Sequence, residues 1–285
     1  MIISIDGLDC SGKETLAKTF GVKVKELLPE KKVVVVSFPD YSSESGKMIK
    51  KLLSEATTNP LVRHIPITRK AFILSELFVI NRKEFFASHS DIDFEKDIVI
   101  FDRYSASNIL YQGQGLDTTQ LSDLIHFNKI LDYEIYKNPY PDYSFFLRVP
   151  FDILVDRLQE RKASKSGIQD TYEDPAFLRA TYHLSEQILA ADSIRIELFD
   201  TIIYQVHYDD NRYRYILSTE ESAKIMIETL VERNLLVIPT AEPKEDPSIE
   251  PVVENDKPST DDIVVEDAEI IKDETGEDDK NDSSY

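Results

Sequence analysis

The sequence lacks the features that would place the chain outside the cell or in a membrane. Its single cysteine, Cys10, cannot form an internal disulfide, which excludes a disulfide framework and agrees with a reducing compartment. No run of 18 or more uncharged apolar residues is present, and the first residues lack the basic start of a signal peptide. We therefore expect a cytoplasmic chain that makes no contact with membranes.

Basic residues are also scarce, with 33 Lys and Arg against 53 Asp and Glu, and the formal charge is −20. No nucleic-acid-binding module is recognisable, so we expect no nucleic-acid partner. The negative charge is uneven, because residues 240–285 hold 17 acids and 4 lysines and therefore carry about −13 of the total. The rest of the chain is only mildly acidic and is compatible with anionic ligands.

The acidic end of the chain, residues 236–285, is predicted to be a disordered tail. It is rich in Pro, Glu, Asp, Lys and Ser, and it has too few apolar side chains to offset the entropy cost of ordering. Two short apolar patches, at 263–265 and 270–271, are candidates for docking an unidentified protein, and the alternative is a solvated tail. Residues 1–235 are predicted to form the folded domain.

Within that domain, short apolar runs alternate with segments of helical periodicity, which favours a parallel sheet covered by helices on both faces. The predicted strands are 2–6, 33–38, 97–101, 142–149 and one near 201–207. The predicted helices are 15–28, 45–53, 68–87, 105–111, 118–136, 151–162, 175–191 and 220–234. The fold class is therefore α/β, a three-layer sandwich of the P-loop NTPase type with a central parallel β-sheet, and active residues should lie where its strands end.

The segment after the first strand has the glycine, four-residue, glycine, lysine spacing of a phosphate-binding loop. Its glycines let backbone N–H groups face the phosphates of ATP, and Lys13 reaches the β and γ groups. The predicted nucleotide-binding residues are Gly7, Leu8, Asp9, Cys10, Ser11, Gly12, Lys13, Glu14 and Thr15. Glu14 replaces the usual hydroxyl that binds Mg²⁺. Either its carboxylate binds the metal, or it is a first-turn acid favoured by the helix dipole.

Asp102 ends a buried strand, where an acid that orients the metal is expected, and we predict it as the second metal ligand beside Glu14. Further motifs follow in order: Phe38-Pro39-Asp40, Phe78-Val79-Ile80-Asn81-Arg82, Asp102-Arg103-Tyr104, Tyr111-Gln112-Gly113 and Asp170-Thr171-Tyr172-Glu173. Together with the phosphate-binding loop, they resemble the thymidylate kinase family over residues 1–195. The resemblance implies an ATP- and Mg²⁺-dependent kinase of deoxynucleoside monophosphates, most simply dTMP, that forms a homodimer.

The resemblance also implies roles on the acceptor side. It places Phe78 against the pyrimidine, Arg82 on a base carbonyl and Arg103 on the acceptor phosphate. The remaining predicted substrate-binding residues are Phe38, Asp40, Ser107, Tyr111, Gln112 and Tyr172. Plainer interpretations stay open: Phe78 could be core, Arg82 could pair with Glu76 or Glu84 at the surface, and the two tyrosines could pack. Many members have an arginine where this chain has Tyr41, so acceptor affinity or identity could differ.

Arg157 and Arg161 lie four residues apart and precede a short basic loop, so they are predicted to close over ATP as part of a lid at about 157–172. Some family members carry a catalytic arginine in the phosphate-binding loop, where this chain has Cys10. The predicted catalytic residues are Lys13, Asp9, Asp102, Arg161 and Arg157. Two rival functions remain open: a kinase of another deoxynucleotide or deoxynucleoside, or a nucleotide-binding protein without catalysis that acts through its tail.

Overall fold

A computed structural model describes residues 1–55, 64–164, 174–208 and 214–239. Their centre is a five-stranded parallel sheet of order β2-β3-β1-β4-β5. The strands are β1 Ile2–Gly7, β2 Val33–Ser37, β3 Ile98–Asp102, β4 Tyr143–Arg148 and β5 Thr201–Tyr204. Every strand is rich in β-branched or aromatic side chains, as expected for strands that are buried on both faces.

Helices cover both faces of this sheet. They are α1 Lys13–Leu27, α2 Glu44–Ser54, α3 Ile67–Ser88, α4 Ser105–Gln112, α5 Thr118–Lys129, α6 Phe151–Ser164, α7 Pro175–Ala190, α8 Asp192–Leu198 and α9 Thr219–Glu232. Alternate residues of β3 join different clusters: Ile98 and Ile100 pack with α1, whereas Val99 and Phe101 pack with the aromatic residues of α3. The predicted three-layer α/β sandwich with a central parallel sheet is confirmed.

Three elements differ from the sequence prediction. The predicted helix at 118–136 changes at its end into a π-helical turn, Ile130–Ile135. The predicted last strand is two strands, β5 and β6 (Val206–Tyr208), and β6 pairs with β7 (Arg214–Ile216) in an antiparallel hairpin. Helix α8 was not predicted, because seven residues are too few for a clear periodic pattern.

The strand ends bring the phosphate-binding loop, Asp102 and Arg103 to one edge of the sheet. In the register of β1 and β3, Ile5 lies opposite Asp102, so the loop after β1 begins beside the end of β3. Beyond α9, Leu236 is buried in the main core and Ile238 packs against it, so the ordered packing extends past the predicted domain boundary at residue 235. The predicted tail beyond residue 239 lies outside the described residues. None of the described helices is long and apolar enough to cross a bilayer.

Candidate active site

The loop between β1 and α1 has the backbone of an anion-binding turn. Cys10 has a φ of 64° and Gly12 a φ of 89°, and both values lie in the left-handed region. Gly12 is the N-cap of α1, so the first N–H groups of the helix point out of its N-terminal end. A phosphate at this position would accept hydrogen bonds from those N–H groups and would be stabilised by the positive end of the helix dipole.

Lys13 lies in the first turn of α1 and is only 5% exposed. Its Nζ donates a hydrogen bond of 3.1 Å to the carbonyl oxygen of Leu8 and lies 3.9 Å from Asp9 Oδ1. Burial and the charge of Arg103 lower the pKa of Lys13 to about 8, although the nearby carboxylates act in the opposite direction. The ammonium group is therefore held inside the loop, where a phosphate would stabilise its charge.

Arg103 follows β3 in a left-handed conformation, with a φ of 70°. Its Nη2 donates to Asp9 Oδ1, and its Nη1 donates to the hydroxyl of Tyr111 at 2.9 Å. Burial raises the pKa of Asp9, but the charges of Arg103 and Lys13 outweigh it, so this pKa lies below its usual value. Asp9 thus links the lysine of the phosphate-binding loop to the arginine predicted to hold the acceptor phosphate.

Two buried carboxylates at the strand ends keep an oxygen without a hydrogen bond among the described residues: Asp102 Oδ1 and Asp6 Oδ2. The other oxygen of Asp102 accepts from Ser37 Oγ at 3.0 Å. Burial raises the pKa of Asp6, and hydrogen bonds from Ser107 Oγ (2.5 Å) and from the N–H of Tyr104 (3.1 Å) oppose that shift. The sequence analysis did not predict Asp6 as a site residue, because it lies within the predicted first strand.

These carboxylates fit a magnesium site of the kind found with nucleotides. In the part of the chain that the structure describes, no group of three or more His, Cys, Asp or Glu side chains could hold a metal alone. Mg²⁺ does not need such a group, because it binds through one or two carboxylates, water and substrate phosphates. The unpartnered oxygen of buried Asp102 could serve as such a carboxylate ligand.

Glu14, the other predicted metal ligand, lies on the exposed side of α1. Its side chain is 65% exposed and accepts a hydrogen bond of 2.7 Å from Lys18, one turn later. The hydrogen bond with Lys18 lowers the pKa of Glu14. In this arrangement Glu14 is the first-turn acid of the alternative interpretation. Its neighbour Thr15 is exposed as well.

The two arginines predicted for the lid lie at the phosphate-binding loop. Arg157 Nη1 donates to the carbonyl oxygens of Ser11 at 2.8 Å and Cys10 at 3.3 Å. Burial raises the pKa of the Cys10 thiol, and a hydrogen bond with Arg161 opposes that shift. The part of the predicted lid after residue 164, including Tyr172, lies outside the described residues.

The acceptor side corrects one prediction. Phe38 is only 4% exposed, and its ring packs against Phe85, Phe86, Phe101 and Tyr104. The ring is therefore part of the core and continues the apolar run of β2. The prediction of Phe38 as a substrate-binding residue is wrong.

The loop after Phe38 is fastened to α3 by polar side chains. Asn81 Oδ1 accepts from the N–H of Asp40 at 2.8 Å, and its Nδ2 donates to the carbonyl oxygen of Asp40 at 2.9 Å. Glu84 accepts from the N–H groups of Glu44 and Ser45 at the start of α2. Gly46 allows this closure, because a Cβ there would lie 1.8 Å from the carbonyl oxygen of Asp40. The Asp40 carboxylate accepts hydrogen bonds from Ser42 within the same loop.

Arg82 is buried, and it pairs with neither Glu76 nor Glu84. Its Nε and Nη2 donate to the two carboxylate oxygens of Asp132 at 3.0 and 2.5 Å. The guanidinium lies 5.2 Å from the centre of the Tyr104 ring. The interpretation of Arg82 as part of a surface pair is therefore wrong. The sequence analysis missed Asp132, because its only signal there is a single acid within a helical pattern.

The other predicted acceptor residues lie on the helices around this pair. Phe78 is half-buried one turn before Arg82 and belongs to none of the core clusters of the described residues. Ser107, Tyr111 and Gln112 are buried on α4. The Tyr111 ring stacks on Phe177 at 6.2 Å, so it both packs and contacts Arg103.

Comparison with known proteins identifies the family of this chain. The profile of the thymidylate kinase family matches residues 5–201. The thymidylate kinase of Mycoplasma mobile is 30% identical over 168 residues, which cover 56% of this chain and 71% of that protein. The enzyme of Mycobacterium tuberculosis is 24% identical over 180 residues, 63% of this chain and 80% of that protein.

Among solved structures, the thymidylate kinase of Candida albicans has a TM-score of 0.50 and 20% identity, and the match covers 82% of this chain and 92% of that one. That likeness shows the fold, and the profile match over more than half of the chain shows the family. The chain belongs to the thymidylate kinase family.

Proposed function

We propose that this protein transfers the γ-phosphoryl group of ATP to the 5′-phosphate of dTMP and forms ADP and dTDP. The observation that carries the proposal is the chain of contacts Lys13–Asp9–Arg103–Tyr111, which joins the buried lysine of a phosphate-binding loop to a second, half-buried cation. One cation suits the donor phosphates and the other suits an acceptor that already carries a phosphate. The family membership names thymidylate as that acceptor.

On the donor side, the N–H groups of the phosphate-binding loop and Lys13 bind the β- and γ-phosphates of ATP. Asp102 offers its unpartnered oxygen to Mg²⁺, which, when bound, offsets charge on the phosphate oxygens. Arg157 steadies the loop through the carbonyl oxygens of Cys10 and Ser11. Arg161, one turn further along α6, neutralises charge on the group in transfer.

On the acceptor side, Arg103 binds the phosphate of dTMP and aligns one of its oxygens with the γ-phosphorus. A bond forms between that oxygen and the phosphorus while the bond from phosphorus to the bridging oxygen of ATP breaks. The attacking oxygen is already anionic, so positioning and charge neutralisation supply most of the catalysis. Asp9 holds Arg103 in place, and Phe78 and Arg82 bind the base.

A deoxynucleoside kinase is the less favoured alternative, because an uncharged acceptor hydroxyl would leave the half-buried Arg103 without an anionic substrate group. Turnover of ATP with Mg²⁺ against a panel of nucleosides and nucleoside monophosphates separates the two functions. We expect dTDP formation from dTMP and its loss in Lys13→Ala. Turnover with thymidine but not with dTMP would overturn the proposal, and so would the absence of turnover with every acceptor.

Four further features belong to this proposal. Residues 1–235, with the short extension through Ile238, form the kinase domain, and residues beyond it form an acidic tail. The enzyme is a homodimer, as the family membership suggests. It acts in the cytoplasm, and the tail offers two apolar patches to an unidentified protein. Size-exclusion chromatography with light scattering tests the dimer, and truncation after residue 239 tests whether turnover needs the tail.

A further inference from the structure

The proposed mechanism uses Arg82 and gives no role to its buried partner, Asp132. Arg82 is 2% exposed and Asp132 is 0% exposed. Burial alone would lower the pKa of Arg82, but the charge and hydrogen bonds of Asp132 raise it above its ordinary value. The Arg82 guanidinium is therefore charged inside the domain.

The backbone around Asp132 is built to present this side chain. The helical pattern of α5 predicts a continuous α-helix, yet residues Ile130–Ile135 form a π-helical turn, a feature that often occurs at functional sites. After the turn, the N–H of Asn138 returns to the carbonyl oxygen of Asp132 at 2.8 Å, and Asn138 Nδ2 donates to Asp132 Oδ1 at 2.9 Å. Each carboxylate oxygen thus has at least one donor.

Stability is a weak reason for such a pair. The cost of removing two charges from water often exceeds their attraction, so apolar residues of similar volume can replace a buried pair without loss. The geometry suggests orientation as the reason. Nε and Nη2 of Arg82 are used by Asp132, and among the described residues Nη1 has no hydrogen-bond partner. The planar guanidinium of Arg82 is thereby held in one orientation, and Nη1 can donate a hydrogen bond to another acceptor.

We propose that Asp132 is a positioning residue that fixes Arg82 so that its Nη1 donates to a carbonyl oxygen of the acceptor base. This inference rests on the proposed function. An arginine only donates hydrogen bonds, so it can bind a carbonyl oxygen of the pyrimidine but not an amino group at the same place. Asp132 therefore contributes to the preference for thymine over cytosine without touching the nucleotide. Phe78, one turn earlier on α3, lies on the same side of the helix.

Asp132→Asn tests this role, because it keeps the volume but loses the charge and one of the two accepting oxygens. We expect KM for dTMP to rise about tenfold and the preference for dTMP over dCMP to fall by a similar factor, as for a misplaced binding group. The values of kcat and of KM for ATP should stay within about twofold of the wild type. A purely structural role would lower the melting temperature and leave these ratios unchanged.

Glu186→Gln is a matched control, because it weakens a pair of the same geometry. In that pair Arg148 donates to Glu186 through Nε at 2.9 Å and through Nη2 at 2.6 Å. It should leave both acceptor constants unchanged. A double variant, Arg82→Met with Asp132→Leu, guards against misfolding, because an apolar pair can restore packing. It should melt near the wild-type temperature and still lose the preference for dTMP.

The results separate this inference from the proposed function. Wild-type turnover with dTMP decides the function. The ratio of variant to wild type, measured with whichever monophosphate the wild type phosphorylates, decides the role of Asp132. An unchanged acceptor KM in Asp132→Asn, or a double variant that keeps the wild-type preference, would overturn the inference.

Discussion

The donor and acceptor sides of the site are built in different ways. On the donor side, the decisive features are backbone conformations and residues close together in sequence: a left-handed Gly12, Lys13 directly after it and Asp9 four residues before Lys13. On the acceptor side, Arg82 is held by Asp132, 50 residues away, and the loop at Asp40 is held by Asn81, 41 residues away. The first side is local, and the second is assembled by tertiary packing.

This difference predicts how each side responds to change. A local site depends on a few groups that contact the phosphates directly, so single substitutions there should abolish turnover and leave the fold intact. A site assembled from distant helices couples binding to stability, so substitutions there should alter affinity, specificity and the free energy of unfolding together.

The largest expected effect is on the donor side. Lys13→Ala should lower kcat by about 10³-fold, since a preorganised charge on the transferred phosphoryl group is lost. Steady-state kinetics with dTMP measures it, and Lys18→Ala, an exposed lysine on the same helix, is the control and should retain wild-type kcat. A decrease of less than tenfold in Lys13→Ala would mean that this loop does not hold the donor phosphates.

The second expected effect is a pH dependence of ATP binding that acceptor binding should not share. The pKa of Lys13 is about 8, so in the free enzyme its ammonium group is fully charged well below pH 8 and loses its proton above it. Binding of ATP above pH 8 must therefore take up a proton, and KM for ATP should rise about tenfold per pH unit there. The pKa of Arg103 lies well above its usual value, so acceptor binding should lack this step.

Kinetics between pH 6.5 and 9.5 checks this prediction, with Lys13→Arg as the control that keeps its charge. A KM for ATP that stays flat across pH 8 in the wild type, or that rises equally in Lys13→Arg, would assign the titration to another group.

The third effect concerns the assembled acceptor side. Asn81→Ala removes the amide that binds both backbone groups of Asp40 and leaves them without that partner, so the free energy of unfolding should fall by about 1–3 kcal/mol. Urea denaturation measures it, with KM for dTMP as the second measurement. Ser42→Ala, in the exposed part of the same loop, should stay within about 0.5 kcal/mol of the wild type. Equal effects of the two variants would show that Asn81 does not fasten the loop.

The smallest effect is expected at Glu14. Glu14→Ser removes an exposed pair with Lys18 that is worth about 0.3–0.5 kcal/mol, and the Mg²⁺ concentration for half-maximal turnover should change by less than twofold. Titration of Mg²⁺ at saturating ATP measures it, and Asp102→Asn, which should shift the titration strongly, is the comparison. A similar shift in both variants would place the Glu14 carboxylate in the metal site.

The same contrast explains which parts of the structure could be predicted from the sequence. Strand and helix boundaries were predicted within one or two residues where strong hydrophobic patterns meet glycine or a capping residue, as at Gly7 and Asp117. The hairpin of β6 and β7 and the short α8 lack such signals. Asp132 could not be assigned to Arg82, because no local pattern links two residues on different helices. The core position of Phe38 did have a signal, since it ends a run of four valines and a serine.

Whether one cluster serves both a donor and an acceptor phosphate can be measured by phosphoryl transfer itself. ATP labelled in its γ-phosphate is incubated with dTMP and the full chain, and the products are separated. We expect the label to appear in dTDP. Arg103→Ala should lower the rate chiefly by raising the dTMP concentration that is needed, and Lys13→Ala should lower it at all dTMP concentrations. Label found only in inorganic phosphate, or transfer that survives both substitutions, would contradict this expectation.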